Sequence, residues 1–383
     1  MGDVSEIIGG GTPSTNHPEY WDGDIDWYSP AEILDQIYVK RSRRRITQLG
    51  YDNSSAKLLP PGTVLFTSRA GIGKTAILSQ KSCTNQGFQS IVPHENELDT
   101  YFIFSRTNAL KRYGELVGAG STFAEVSGKQ MSAMNLMLPT TIQEQQVIGQ
   151  FFKKLDRLIT LHQQKITLLT KLKKAMLEKM FPKKGSVVPE FRFNGFANAW
   201  EQRKLGDEAE EILAGGDIEK QSDVGKYELV NLNSISIDGG LKPSGKFIDE
   251  ETETLIKDDL VMVLSDVGHG DLLGRVAIIP ENNRFVLNQR VALLRNNGFA
   301  DTKYLFSYIN AHQRYFKLQG AGSSQLNISR GSVENFEVLL PKRDEQKQIG
   351  ECFSNLDHLI TLHQRKLDML KKLKSACLSE MFI

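Results

Sequence analysis

Three cysteines, no long apolar run and no surplus of either charge set the first limits on this chain. Cys83, Cys352 and Cys377 are odd in number and far apart, so we expect neither a disulfide framework nor a zinc site. No run reaches the roughly 18 apolar residues of a transmembrane helix. Residues 1–11 also lack the pattern of a signal peptide. We therefore predict a cytoplasmic protein with no membrane partner.

The charges nearly balance, since 47 Lys and Arg residues and 46 Asp and Glu residues leave a formal net charge of +1. Non-specific affinity for DNA comes mainly from basic side chains that neutralise phosphates. The chain alone should therefore bind DNA weakly, and any basic surface must be local or belong to a partner.

Recognisable catalytic motifs are missing too. Pro60-Pro61 is followed by Gly62, so the pair does not form the Asp/Asn-Pro-Pro-aromatic motif of an adenine methyltransferase. Residues 71–75, Gly-Ile-Gly-Lys-Thr, look like the end of a phosphate-binding loop, but Ser68 stands where that motif needs glycine. No nucleophile elbow or metal-ligand cluster is recognisable. We predict no catalytic residue, no metal and no cofactor on this chain.

What the chain does contain is an internal duplication. Residues 155–181, LDRLITLHQQKITLLTKLKKAMLEKMF, recur as residues 356–382, LDHLITLHQRKLDMLKKLKSACLSEMF. Shorter matches upstream extend the repeat: Gly-Ala-Gly-Ser at 118–121 and 320–323, and Asn-Gln at 85–86 and 288–289. The two tails are nearly identical, whereas the segments before them agree only at scattered points. We therefore expect one scaffold that carries two different recognition surfaces.

Each repeated tail has apolar residues at steps of three and four, which is typical of one face of a helix. Thr141 and Glu144 form a predicted capping box, and Pro182 and Gly185 are stop signals. A helix over residues 142–181 would be about 60 Å long and would need a partner along its length. Antiparallel pairing of the two copies would relate them by a pseudo-two-fold axis. The residues predicted to form this pairing are Ile148, Phe152, Leu155, Ile159, Leu169, Leu172, Ile349, Phe353, Leu356, Ile360, Leu370 and Leu373.

Polar residues on these helices allow two interpretations. His162 and His363 occupy equivalent positions and could form a metal or pH-sensing pair. A polar position that fixes helix register is favoured, because no second ligand lies three or four residues away. The lysine-rich outer face could contact DNA or a partner, although a solvated face is the commoner explanation. Its residues are Lys165, Lys171, Lys173, Lys174 and Lys179.

The two globular segments, residues 1–138 and 205–340, contain short apolar runs broken by Gly, Pro and Asn, followed by more helical stretches. This pattern predicts mixed α/β domains. The predicted fold class is therefore α/β, with two mixed α/β recognition domains joined by two long antiparallel helices in a pseudo-two-fold repeat.

One segment of the first domain is strongly basic, with five positive charges within residues 40–45. Such a cluster can anchor a phosphate backbone, and an exposed loop without a partner is the alternative. Arginine matches the hydrogen-bonding edge of guanine, and Asn and Gln match that of adenine. The candidate DNA-binding residues are Lys40, Arg41, Arg43, Arg44, Arg45, Ser68, Arg69, Asn85, Gln86, Ser121, Thr122, Lys129, Gln289, Arg290, Ser323, Ser324, Gln325, Asn327 and Arg330.

Several stretches resemble the target-recognition domains of type I restriction–modification specificity subunits. They are residues 10–14 (GGTPS), 19–25 (EYWDGDI), 54–57 (SSAK), 68–73 (SRAGIG) and 85–88 (NQGF). The Leu-Pro…Glu-Gln start of each helix, with VPEFRF at 188–193 and WEQRKL at 200–205, resembles the constant regions of that family. The resemblance covers essentially the whole chain. It implies a first target-recognition domain at 1–138, a central constant helix at 139–182, a linker at 183–204, a second target-recognition domain at 205–340 and a distal constant helix at 341–383.

The resemblance also implies a function and partners. In that family each target-recognition domain reads one half of a split, asymmetric site in double-stranded DNA. The constant helices dock two modification subunits, which use S-adenosylmethionine to methylate adenine, so that cofactor is expected on the partners. Restriction (motor-nuclease) subunits join where unmodified DNA is cleaved. The chain itself is expected to be a non-catalytic subunit.

The chain departs from the family pattern at its start, because no counterpart of residues 186–204 precedes the first domain. A shortened start, a recombined allele or a trimmed version would each explain this and would put the docking of one modification subunit in question. A decoy or inactive specificity subunit is therefore one alternative. A protein-only coiled-coil scaffold is another, but it leaves two different globular domains without a role. An independent methyltransferase or nuclease would need the motifs that the sequence lacks.

Overall fold

A computed structural model describes residues 1–69, 71–118, 124–218, 220–250, 252–322 and 325–381. The chain forms two compact units: the first comprises Met1–Gln163 and Arg365–Ile383, and the second comprises Gln164–Gln364. Each unit therefore contains one globular segment together with half of each long helix. None of the helices in the described ranges combines the length and the hydropathy that a bilayer crossing requires.

The first globular segment mixes antiparallel and parallel strands with short helices. Its strands are β1 (Ser5–Gly9), β2 (Trp21–Tyr28), β3 (Tyr38–Val39), β4 (Arg44–Ile46), β5 (Val64–Phe66), β6 (Thr75–Leu78), β7 (Cys83–Thr84) and β8 (Gln89–Pro93). Its helices are α1 (Gln48–Asp52), α2 (Thr100–Ser105), α3 (Thr107–Gly118) and α4 (Gly128–Ser132), and α5 (Ile142–Met180) follows. One sheet has the strand order β1-β8-β5-β6-β3 and the other has the order β4-β2-β7.

The second globular segment repeats this topology. Its strands are β9 (Glu201–Lys204), β10 (Ala209–Ala214), β11 (Tyr227–Val230), β12 (Phe247–Ile248), β13 (Leu260–Val263), β14 (Ser265–Asp266), β15 (Val276–Ile278), β16 (Phe285–Leu287), β17 (Val291–Asn296), β18 (Leu326–Asn327) and β19 (Glu337–Leu340). Its helices are α6 (Thr302–Ala311), α7 (Gln313–Gln319), α8 (Arg330–Glu334) and α9 (Arg343–Met381). The sheet β10-β17-β13-β15 corresponds to β1-β8-β5-β6, and β12-β11-β16 corresponds to β4-β2-β7. In both three-stranded sheets the central strand has one antiparallel and one parallel neighbour.

The start of each long helix is tied to its globular segment by the glutamine of the repeated Glu-Gln pair. The side-chain oxygen of Gln145 accepts the amide of Asp99 at 3.1 Å, and that of Gln346 accepts the amide of Asp301 at 2.8 Å. The two aspartates in turn cap α2 and α6. One half of the predicted capping box of α5 is present, since the Glu144 amide donates to the Thr141 hydroxyl at 3.2 Å. The repeated dipeptide therefore fixes the direction in which each long helix leaves its domain.

Within each unit the two long helices run antiparallel. In the first unit Lys374 Nζ lies 2.6 Å from Asp156 Oδ1, and in the second Lys173 Nζ lies 2.5 Å from Asp357 Oδ1. These are the same two repeat positions with the helices exchanged. The predicted fold class, two mixed α/β repeats with antiparallel long helices, is confirmed.

Most of the residues predicted to pair the helices lie in the two main hydrophobic cores. The core of the first unit includes Ile148, Phe152, Leu155, Ile159 and Leu370, and that of the second includes Leu169, Ile349, Phe353, Leu356 and Ile360.

Leu172 and Leu373 correct the predicted stripe. Both are 45% exposed, at equivalent positions outside these cores. Apolar residues spaced three and four apart can belong to either of two neighbouring faces of a broadly apolar helix. Only one of these faces packs inward, and Leu172 and Leu373 lie on the other.

Candidate nucleic-acid interface

The basic cluster of the first unit is presented by a turn that a buried carboxylate holds in place. Asp26 is buried, and its Oδ1 accepts the amide of Ser42 at 2.9 Å and the Ser42 hydroxyl at 2.8 Å. Around this turn Lys40, Arg41, Arg43 and Arg44 are exposed and Arg45 is half-buried. An anchored turn keeps the cations on one surface, which lowers the conformational entropy that phosphate binding would otherwise cost.

An aromatic pair connects this turn to the glycine-rich loop at residues 10–14. The guanidinium of Arg44 lies 3.6 Å from the centre of the Trp21 ring, in cation–π geometry. The Trp21 indole donates to the carbonyl of Ser14 at 3.2 Å, and the Trp27 indole donates to that of Gly11 at 2.8 Å. Trp21 and Trp27 also pack edge to face, with their ring centres 5.2 Å apart. The basic turn and the loop therefore belong to one continuous surface.

The same loop lies against the predicted Asn85-Gln86 pair. A Cβ on Gly10 would stand 1.9 Å from the carbonyl oxygen of Asn85, so only glycine fits there. The Thr12 hydroxyl donates to the side-chain oxygen of Gln86, which is exposed. The Asn85 side-chain oxygen accepts the Gly87 amide at 2.8 Å. Gln86 is thus displayed at the surface, whereas Asn85 shapes its own turn.

Ser68 was predicted to bind DNA, and its position corrects that prediction. Its side chain is fully buried, because backbone bonds hold the residue on both sides. Its amide donates to the Gly87 carbonyl at 2.9 Å, and its carbonyl accepts the Val126 amide at 3.0 Å. The next residue, Arg69, is half-buried, with its NH1 atom 4.0 Å from Glu125 Oε1.

The remaining residues predicted in this domain lie apart from the loop or outside the described ranges. Lys129 is exposed on α4. Ser121 and Thr122 lie outside the described residues. Residues 71–75, which look like the end of a phosphate-binding loop, run directly into β6, whereas a true phosphate-binding loop precedes a helix.

The second unit uses the same backbone frame. Leu264 takes the place of Ser68: its amide donates to the Arg290 carbonyl at 2.8 Å, and its carbonyl accepts the Ile328 amide at 2.9 Å. Gly215 takes the place of Gly10, with a Cβ position 2.1 Å from the Asn288 carbonyl oxygen. The two units therefore hold equivalent loops in equivalent places while their exposed side chains differ.

A cluster of amide and hydroxyl groups occupies this frame in the second unit. The Ser265 hydroxyl donates to Asn327 Oδ1 at 2.6 Å, and the Gln325 side-chain amide donates to both residues, at 3.1 Å to Asn327 Oδ1. Arg290 is exposed beside them and has a left-handed backbone with φ +70°. Sequence reasoning found Gln325, Asn327 and Arg290 but missed Ser265, which β14 brings to the cluster by pairing with β18.

The other candidates in the second unit are engaged by carboxylates or lie outside the description. Gln289 Nε2 donates to Asp217 Oδ1 at 2.8 Å. Arg330, at the start of α8, lies 2.6 Å from Glu334. Ser323 and Ser324 lie outside the described residues. Among the residues that the structure describes, no group of three or more His, Cys, Asp and Glu side chains could hold a metal.

Each unit also exposes apolar side chains on its two helix halves, away from its core. In the first unit they are Leu158, Leu161, Met369 and Leu373. In the second unit they are Leu168, Leu172, Leu359 and Leu362, which are the repeat equivalents. Large exposed apolar patches typically mark interaction sites.

Comparison with known proteins agrees with this duplicated arrangement. The family model for the type I restriction modification DNA specificity domain matches residues 1–171 and 198–372. The MjaIX type I restriction enzyme specificity subunit of Methanocaldococcus jannaschii is 26% identical over 403 residues, which cover 99% of this chain and 90% of the relative. The EcoR124I/EcoR124II specificity subunit of Escherichia coli is 31% identical over 166 residues, or 41% of this chain and 40% of the relative.

A solved structure has the same fold. The crystal structure of the S subunit of the type I restriction–modification system from M. genitalium aligns over 100% of this chain and 94% of that chain, with a TM-score of 0.67. The two sequences are 13% identical, so this likeness concerns the fold alone.

Proposed function

We propose, from the premise that this chain belongs to the type I restriction–modification DNA specificity family, that each of its two units reads one half of a bipartite DNA site. Membership of this family makes the chain a non-catalytic specificity subunit with DNA and a methyltransferase as partners. One observation carries the proposal: the same backbone frame occurs twice and displays different side chains. Two unlike readers on one scaffold suit a site with two unlike halves.

In the first unit we assign two roles to the continuous surface. The cations at 40–45 neutralise phosphates, with Arg44 held in place by the Trp21 ring. Gln86 and Arg69, which project from the neighbouring loops, are placed to contact base edges. Phosphate contacts fix the register of the protein on the duplex, and the amide and guanidinium groups supply the base preference.

In the second unit the reading surface is more polar and less basic. The groups assigned to base contact are Gln325 and Asn327, which converge on Ser265, together with the exposed Arg290. Gln325 and Asn327 are already hydrogen-bonded to each other, so their donors and acceptors are oriented before DNA arrives. Such preorganisation favours discrimination between bases over raw affinity.

The two sets of exposed apolar side chains on the helix halves are the proposed docking surfaces for the modification subunits. Each unit carries one set, and the two sets are equivalent under the repeat, so two copies of the same subunit would bind. Those subunits would bring S-adenosylmethionine. Burying a leucine or methionine side chain contributes about 1.5–3 kcal/mol, so four such side chains per unit are enough to matter.

The long helices are proposed to set the spacing between the two half-sites. Inserting four residues at matched places in α5 and α9 lengthens each by about 6 Å. At roughly 3.4 Å per base-pair step, the spacer should grow by about two base pairs while both half-sites stay the same. Changed half-sites with an unchanged spacer would argue against this role.

The decisive test maps methylated adenines in cells that express this chain with its modification subunit. A bipartite, asymmetric motif is the expected result, and exchange of residues 1–138 for another such domain should change one half of it only. Loss of both halves after the exchange, or methylation without a bipartite motif, would contradict the proposal. Purified chain mixed with S-adenosylmethionine and DNA should transfer no methyl group.

A further inference from the structure

In the first unit, a tyrosine ring on α2 fills the space beside a carboxylate of the long helix. The hydroxyl of Tyr101 donates to Asp156 Oδ2 at 3.0 Å, while Lys374 Nζ donates to Oδ1 at 2.6 Å. The Tyr101 ring packs against Phe104, with ring centres 5.4 Å apart, and lies 6.5 Å from Tyr38. Tyr101 is 6% exposed. Both oxygens of this carboxylate are therefore satisfied by donors of the first unit.

The second unit keeps the frame around this position but not the ring. In both units a glycine of the long helix packs against the residue in question. A Cβ on Gly149 would lie 3.3 Å from the Cβ of Tyr101, and a Cβ on Gly350 would lie 2.9 Å from the Cβ of Lys303. Lys303 therefore stands where the first unit has its tyrosine, and this lysine is exposed.

A cavity of about 400 Å³ opens beside Lys303 in the second unit. Its wall includes Phe306 and Asp357, which are the counterparts of the aromatic and acidic neighbours of Tyr101. On the far side the wall is a Gly-Gly turn at residues 239–240, whereas the first unit has its second tyrosine ring there. The volume falls within the range of about 300–1,000 Å³ that is typical of small-molecule sites.

Asp357 keeps an unused acceptor in this cavity. Its Oδ1 accepts the ammonium of Lys173 at 2.5 Å, which repeats the bond between Lys374 and Asp156. Across the described ranges, no donor is bound to its Oδ2, the oxygen whose counterpart accepts the tyrosine hydroxyl. The Asp357 side chain is 35% exposed, so this oxygen is open to a ligand. A carboxylate oxygen beside an aromatic wall suits a hydroxyl group carried on a ring, because a hydroxyl donates a strong hydrogen bond to a charged acceptor.

We propose that this cavity binds a small molecule that carries a phenol ring. The ring packs against Phe306, and its hydroxyl donates to Asp357 Oδ2. The internal repeat identifies the class of ligand, because the first unit places a tyrosine ring in the same frame. An anionic ligand is disfavoured, since Asp238 and Asp357 both line the cavity and would repel it. The inference goes beyond the proposed function and involves no DNA, so the two can fail separately.

The test titrates the full chain with p-cresol, the tyrosine side chain as a free molecule, and with toluene, which lacks the hydroxyl. Saturable binding of p-cresol is expected with a Kd on the order of 1 mM, as suits so small a ligand. Toluene should bind at least about tenfold more weakly, because it cannot donate to the carboxylate. p-Cresol should slow amide exchange in residues 236–241 and 303–307 but not in their counterparts, 34–39 and 101–105. Equal binding of the two compounds, or no saturation by p-cresol at about 10 mM, would overturn the proposal.

Three variants locate the site. Lys303→Tyr supplies the ring from the chain itself and should abolish p-cresol binding. Arg314→Tyr adds the same ring at an exposed position outside the cavity wall, so this matched control should leave binding intact. Asp357→Ala should reduce the preference for p-cresol over toluene to about twofold or less, because it removes the acceptor and leaves the aromatic wall. Binding that survives Lys303→Tyr, or a preference that survives Asp357→Ala, would place the ligand elsewhere and refute the assignment.

Discussion

The two copies of the long helix are nearly identical in sequence, whereas the two globular segments agree only at scattered points. Burial explains this difference. Phe152 and Phe353 are both fully buried, so that position tolerates little change of shape. Ser68 and Leu264 also occupy equivalent places, but the frame uses only their backbone amides and carbonyls. At this buried helix position the two copies agree, and at the position where the frame uses only the backbone they differ.

Even within the helices, equivalent contacts differ in their surroundings. Asp156 is 7% exposed and accepts bonds from Lys374 and, at 3.0 Å, from the hydroxyl of Tyr101. Asp357 is 35% exposed, and the position of Tyr101 is occupied by Lys303. Burial, and then the nearby charge of Asp156, raise the pKa of Tyr101 well above its usual value, which keeps the hydroxyl a donor. The same ion pair is therefore buried in one unit and half-solvated in the other.

The largest effect is expected where the two units are most alike. Phe152→Ala and Phe353→Ala should each cost about 3–5 kcal/mol, because each empties a fully buried site. Native-state hydrogen exchange should report the loss in residues 1–163 and 365–381 for the first variant, and in 164–364 for the second. Equal losses in both units from either change would show that the units do not behave as separate compact bodies.

The next largest difference between the two units is expected in the stability cost of breaking their equivalent ion pairs. Asp156→Ala removes one partner of a buried pair and should cost about 3 kcal/mol, whereas Asp357→Ala should cost about 1 kcal/mol or less. Asp156→Asn is the control that keeps an acceptor for Tyr101 and should lose less than the alanine variant. Denaturant unfolding of the three proteins measures the difference, and equal costs at 156 and 357 would contradict the comparison.

A change on the DNA surface should be smaller still. Arg44→Ala removes one phosphate contact and the stack on Trp21, and should weaken DNA binding of the assembled complex by about 1 kcal/mol. Arg330→Ala in the second unit should matter less, because Glu334 already neutralises that side chain. Titrations at several salt concentrations test this, since Arg44→Ala alone should reduce the salt slope by about one.

The repeat and the helices were predictable because their signals are local and long. A three-and-four period over 39 residues leaves little choice of structure, and the duplicated Glu-Gln marked where each helix joins its domain. The apolar period could not say which of two adjacent faces packs inward, so Leu172 and Leu373 were placed on the wrong one. Choosing between such faces needs the partner helix, which the period of one helix does not contain.

The reading surface was predicted only in outline, because its parts come from distant positions. The basic run was visible in the sequence, but its anchor, Asp26, is 16 residues from Ser42. The stack of Arg44 on Trp21 depends on the pairing of β2 with β4. Ser68 and Asn85 looked like DNA ligands because they are polar, yet the fold uses them to hold loops together. Composition could not separate these roles, since both need the same side chains.

The smallest effect concerns one position, buried in the first unit and half-buried in the second, at which the two units differ in chemistry. His312 in the second unit is the counterpart of Leu110 in the first, since each lies 11 residues after the aspartate that caps the preceding helix, Asp301 or Asp99. Burial lowers the pKa of His312 below its usual value, although its Nδ1–H donates to the Tyr308 carbonyl at 2.7 Å. The ring is therefore neutral in the folded chain at neutral pH.

This difference should make the second unit alone sensitive to mild acid. Unfolded histidine titrates near pH 6.5, so below about pH 6.5 the unfolded chain binds the proton more readily than the folded chain. The stability of residues 164–364 should then fall as the pH decreases, by at most about 1.4 kcal/mol per pH unit from this group. His312→Leu, which copies the residue of the first unit, should flatten that dependence, with little change at pH 8. Hydrogen exchange at pH 5.5 and pH 8 measures it, and an unchanged pH dependence in the leucine variant would assign the acid sensitivity to other groups.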